Sequence, residues 1–149
     1  MTGTLLIVGV VAAVVFVAVL LIEGALRPGY HPAYHTGSEL SLGDRGWTQI
    51  ANFLQMGVGM LAFAAGVNQT LDTPVAAVLL AIFGLGMIAA GVFLPDPQRG
   101  YPPGAPERTS DKVSQHHQLH GVIGGPVAFS AIFGACLTLA GSLDGPWRI

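Results

Sequence analysis

The chain has 149 residues, 52% of them hydrophobic and only 9% charged, with a formal net charge of −2. A soluble domain carries about 25% charged residues, so this deficit excludes an ordinary water-soluble fold and points to long apolar runs in a bilayer. No basic tract is present, so nucleic acid is not an expected partner. The lone Cys136 allows neither an intrachain disulfide nor a CxxC metal pattern, and its expected role is that of a small buried packing residue.

In chain order, four apolar runs predict membrane spans over about residues 3–23, 48–67, 74–94 and 118–141. At 1.5 Å rise per residue, runs of this length cross a hydrocarbon core of about 30 Å. The predicted fold is therefore all-α: a polytopic transmembrane four-helix bundle forming one domain. Met1 and Thr2 carry no positive charge, and the first run exceeds the roughly 7–15 residues of a signal-peptide core, which favours a retained span. Trp47, an interfacial residue type, opens the second span, and Pro74 suits the first turn of the third. Small residues spaced by four, at Gly121 and Gly125, Gly86 and Ala90, and Ala62 and Gly66, predict close helix approach in a compact bundle.

Only a tight connection separates spans two and three, whereas the other two loops are long. Span parity puts both long loops on one membrane face, with the short loop and both termini on the other. The long-loop side holds Arg27, Arg45, Arg99, Arg108 and Lys112, against Arg148 opposite. By the positive-inside rule the long loops are expected to be cytoplasmic and both termini outside.

Polar residues cluster on that face. The first loop carries Tyr30, His31, Tyr34, His35, Ser38, Glu39, Asp44 and Arg45, and "SELSLG" is expected to start a small helix with Ser38 as its N-cap. Gln49, Asn52 and Gln55 recur every three residues along one side of span two, with Gly59 continuing the line. Amides facing hydrocarbon are costly, so this stripe should point into the bundle and bond neighbouring helices. Asp96 follows "GVFLP" at the end of span three, where an acid opposes the helix dipole. It is not needed to stop the helix beside Pro95 and Pro97, so an arginine (Arg27, Arg45 or Arg99) or a cation is its expected partner. In "SDKVSQHHQLHG", His116, His117 and His120 fall within about 100° of one another on a helix, and an HxxxH spacing can present two imidazoles to one metal. Asp96 with the three histidines is thus the candidate metal set, with zinc the candidate ion. Haem is disfavoured, because its two histidines should come from facing helices at membrane depth.

The stretches "RPGYHPAYHTGSELSLGDRGWTQIANFLQMGVGMLAFAAG", "GVFLPDPQRGYPPGAPERTS" and "HQLHG" resemble the bacterial membrane-protein family of domain of unknown function 998. The matching positions are Tyr30, Ser38, Glu39, Leu40, Gly46, Trp47, Gln49, Asn52, Phe53, Phe93, Asp96, Pro97, Tyr101, Pro102, Pro103, His117 and His120. The resemblance implies a polytopic helical bundle in the inner membrane of a bacterium and brings no activity with it. Members of that family usually carry a further pair of helices, which implies self-association, another membrane subunit, or a reduced form.

Two functions are expected from these residues. The first is a binding or accessory membrane protein, taking a lipid headgroup or another small polar ligand at Arg27, Tyr30, Trp47, Gln49 and Asn52, or docking a membrane complex. The alternative is a metal-dependent membrane hydrolase, with Asp96, His116, His117 and His120 around zinc, Glu39 or Asp44 as general base and Ser38 orienting the substrate. Its likeness to ceramidase-type hydrolases rests on residue types alone.

Overall fold

The computed structural model describes residues 2–71, 73–108 and 111–142; Arg148, used above to orient the chain, lies outside them. The regular elements among the described residues are helical, with helix α1 over Thr2–Leu26, α2 over Gly46–Thr70, α3 over Pro74–Val92, α4 over Gln115–Leu119 and α5 over Ala128–Ser142. A wide π-type turn over His120–Val127 joins α4 to α5, and together they form a fourth long apolar segment, Gln115–Ser142. Four helices are therefore long and apolar enough to cross a membrane, as composition predicted.

The order of packing is a row: α1 lies on α2, α2 on α3, and α3 on the fourth span. Helix α1 and the fourth span share no extended interface among the described residues. Half of the apolar window of α2 and 44% of that of α3 are buried, against 11% for α1 and 17% for the fourth span. The core is thus centred on α2 and α3, where Phe53, Met56, Met60, Phe83 and Met87 pack with Ala12, Ala128 and Ala131 from the flanking helices.

Small residues set these distances. A Cβ built on Gly57 would lie 2.5 Å from Ile88 Cγ1 and 2.6 Å from the Gly84 carbonyl, and one on Gly84 would lie 2.9 Å from the Gly57 carbonyl. Backbone therefore meets backbone across the α2–α3 seam, a contact only glycine permits. Of the pairs singled out above, Gly86 faces Ala128, Ala90 faces Gly124, and Gly66 faces Leu6. Gly121 and Gly125 differ: a Cβ on either would meet nothing within 4 Å, so they line no contact inside the chain. Gly125 instead takes non-helical angles (φ −95, ψ −106) beside Pro126, whose missing N–H opens the kink. Cys136 is exposed on the flank of the row, not buried as expected; α5 buries Ala128, Ala131 and Ala135 against α3 and turns its other side outward.

Candidate functional site

Both long loops meet at one end of the row, where they build a polar cap around two carboxylates. The first is Glu23, in the last turns of α1 and 5% exposed, four residues before Arg27, which is 7% exposed. This i, i+4 spacing brings the two side chains together on one helix face. Arg27 Nε donates to Glu23 Oε2 at 2.8 Å. Its Nη1 donates to the Leu42 carbonyl at 3.1 Å and to the Tyr101 hydroxyl at 3.2 Å. Its Nη2 donates to the Arg45 carbonyl and, at 3.1 Å, to the Thr48 hydroxyl. A guanidinium has five N–H groups, and each of them has an acceptor here. Arg45 reaches the other Glu23 oxygen from a half-exposed position.

The second carboxylate is Glu39, fully buried in a 3₁₀ turn over Gly37–Ser41. Thr36, and not Ser38, is the N-cap: the Thr36 N–H donates to Glu39 Oε2 at 2.6 Å, while Ser38 Oγ contacts Thr36 Oγ1 at 3.0 Å. The turn follows the reciprocal logic of a capping box. Across the loops, Arg99 donates from Nε at 3.2 Å and from Nη2 at 2.8 Å to the two Glu39 oxygens. Arg99 has φ +55 and Gly100 φ +72, and Gln98 and Tyr101 exchange backbone hydrogen bonds around them. Two central residues with positive φ form a type I′ hairpin turn. A non-glycine residue there is unfavourable by about 1 kcal/mol, which the buried ion pair offsets. The same turn aims the Arg99 carbonyl at His35. The His31 N–H donates to His35 Nδ1 at 2.9 Å, which leaves the ring proton on Nε2 to donate to the Arg99 carbonyl at 3.0 Å. Tyr30, His35 and Tyr101 stack around this link with ring centroids 5.3–5.6 Å apart. Burial first, and then the nearby Glu39 charge, push the Tyr30 hydroxyl above its ordinary pKa.

Asp96 forms a separate latch at the end of α3. The Ser114 hydroxyl donates to its Oδ1 at 2.6 Å and the Ser114 N–H to its Oδ2 at 2.7 Å. Ser114 is in turn the N-cap of α4, accepting the His117 N–H at 3.1 Å. The Asp96 N–H donates to His117 Nδ1 at 3.0 Å, and His120 Nδ1 donates to the Phe93 carbonyl at 2.7 Å. His116 is exposed, its ring edge-on to Phe93 at 5.4 Å. The sequence placed Asp96 and the histidines at one corner, and Asp96 does meet His117. No arginine joins it among the described residues; all three candidate arginines bond Glu23 or Glu39 instead. The serine hydroxyl first, then the Ser114 N–H, hold the Asp96 carboxyl below the ordinary carboxylate range, outweighing its desolvation.

A depressed carboxylate stabilises the fold above its unfolded pKa, and that stability is lost as pH falls through the lower folded value. Ser114→Ala should therefore cost about 1 kcal/mol at neutral pH, the typical loss of an N-cap. Asp96→Asn should flatten the acid limb of a stability-versus-pH curve measured by thermal unfolding in micelles.

A family model for a protein of unknown function, DUF998, matches residues 10–149. The chain belongs to this family. No curated protein and no solved structure matches it.

In this DUF998 chain the positions on which the sequence resemblance was drawn fall on both parts of the cap: Tyr30, Glu39, Leu40 and Tyr101 in the loop interlock, Asp96 and His117 in the latch. Among the described residues, no group of three His, Cys, Asp or Glu is arranged to hold a metal ion. Of the candidate catalytic residues, Ser38 is half-buried, Glu39 is bound to Arg99, and Asp44 is exposed. Of the candidate ligand residues, Arg27 is saturated as described, and Trp47 is 67% exposed at the start of α2. Gln49 and Asn52 are buried as the stripe predicted, and Asn52 and Gln55 donate to the Phe16 and Ala12 carbonyls of α1 at 3.0 and 3.2 Å. Sequence reasoning missed Glu23 and Ser114 as polar anchors. Their signals were present: the i, i+4 spacing to Arg27, and a serine three residues before His117.

Proposed function

We propose that this DUF998 protein is a non-catalytic membrane protein, a binding or accessory subunit that docks against other membrane components. The observation that carries this reading is the saturation of the polar cap. Arg27 has every donor engaged within the chain, Glu39 is held by Arg99 and Thr36, and the Asp96 carboxylate is held by Ser114. A reaction centre keeps an open position for substrate or water, whereas groups bonded in this way hold loops in place. Arg45 and Trp47, both exposed beside the start of α2, are the groups best placed to meet a lipid headgroup. The outer sides of α1 and the fourth span supply apolar surface for lipid or neighbouring helices.

The reading is tested by extracting the protein from native membranes in a mild detergent and measuring its mass. A stable assembly well above the 15.4 kDa of one chain is expected. A monomer with zinc-dependent turnover of lipid esters or amides would instead establish the hydrolase. We further propose that the long loops face the cytoplasm of a bacterial inner membrane. An Asp44→Cys variant should then react with an impermeant thiol reagent in inside-out vesicles but not in intact cells.

A further inference from the structure

The amide ladder of α2 ends in a donor without an acceptor. Gln55 Nε2 donates to Asn52 Oδ1 at 3.1 Å, and Asn52 Nδ2 donates to Gln49 Oε1 at 3.3 Å. The orientation of these amides is fixed from outside the ladder. Asn52 Nδ2 and Gln55 Nε2 also face the Phe16 and Ala12 carbonyls, which can only accept. Gln49 must therefore turn its oxygen to Asn52 and its Nε2 away. Gln49 is 0% exposed and its Nε2 has no partner. A second buried group is in the same position: Ser41 is 3% exposed and its Oγ has no partner.

The segments that carry them share one seam. A Cβ on Gly46 would collide with the Ser41 carbonyl, so the 3₁₀ turn sits directly on the first turn of α2. Gln49 is one helical turn beyond Gly46, and because helical side chains lean toward the N-terminus, we infer that its amide reaches over Gly46 to the side on which the turn packs.

We propose that a buried, ordered water molecule occupies this seam and bridges Gln49 Nε2 to Ser41 Oγ. Water has the required chemistry: it accepts from the amide and donates to, or accepts from, the hydroxyl. An unmet buried polar group is unfavourable, and internal waters are the usual answer to one. The ligand must also be small, because both groups are sealed from solvent. The bridge extends the donor chain of α2 into the loop interlock, beside the direct packing of the turn on Gly46 and the Arg27–Thr48 hydrogen bond.

The test combines a mutant cycle with a spectroscopic readout on the intact chain. Gln49→Met and Ser41→Ala should each lower the melting temperature in micelles by a few degrees. The double variant should melt no lower than the poorer single variant, since each removes the same bridge. A rise in melting temperature on removing either group, or fully additive losses, would overturn the proposal. Wild-type protein with ¹⁵N-labelled glutamine gives a reading that does not depend on any variant folding. Magnetisation transfer from a long-lived water to the Gln49 side-chain amide is expected, and its absence would overturn the proposal equally.

Discussion

Arg27→Met should remove about 3–5 kcal/mol of stability, the typical consequence of breaking a buried ion pair by deleting one partner. The size of the effect follows from what stays behind. Glu23 remains almost sealed, with only the half-exposed Arg45 to balance it, and the Leu42 carbonyl and the Tyr101 hydroxyl lose the Arg27 donor, while the Arg45 carbonyl keeps its bonds from Thr48. Thermal unfolding or denaturant titration in micelles measures the loss. Two controls separate charge from packing. The double variant Glu23→Leu/Arg27→Met should recover much of the loss, because the stranded carboxylate goes with its partner. Arg45→Met should change stability by less than about 1 kcal/mol, since a half-exposed pair is screened by water.

The second large effect belongs to the helix seam. Gly57→Val should lower stability by about 1–3 kcal/mol or more. The added atoms meet the Gly84 carbonyl and the Ile88 side chain, and backbone cannot turn aside as a flexible side chain can. Helices α2 and α3 would have to separate, loosening the Phe53, Met56, Met60, Phe83 and Met87 core. Gly121→Ala is the matched control. Open space surrounds that position, so the substitution should be neutral or should stabilise by up to about 1 kcal/mol through helix propensity. The same unfolding assay distinguishes the pair.

These results bear on how much of the molecule its sequence reveals. The four long helices were legible because hydrocarbon thickness demands long apolar runs, longer than the core of a signal peptide. The direction of the Gln49–Asn52–Gln55 stripe was legible for a related reason: an amide has few alternatives to the interior. The partners of Asp96 were not. Linear spacing placed arginines and histidines on the same face without ranking them, and the nearest hydroxyl, Ser114, decided the matter through the helix N-cap it forms. The type I′ turn at Arg99 was hidden because positive φ is expected of Asn-Gly or Gly-Gly, and here tertiary pairing with Glu39 overrides that preference. Gly121 and Gly125 show the converse. Their spacing matches a packing motif, yet the kink at Pro126 gives that segment a different geometry.

The central claim is that the two long loops form one interlocked cap, and the Glu39–Arg99 pair is its most direct handle. A double-mutant cycle with Glu39→Gln and Arg99→Gln, read by unfolding in micelles, measures their coupling. The fully buried carboxylate and its two-point contact predict a coupling above about 1.5 kcal/mol. A coupling below about 0.3 kcal/mol, the range of an exposed surface pair, would mean that the loops do not hold one another as described.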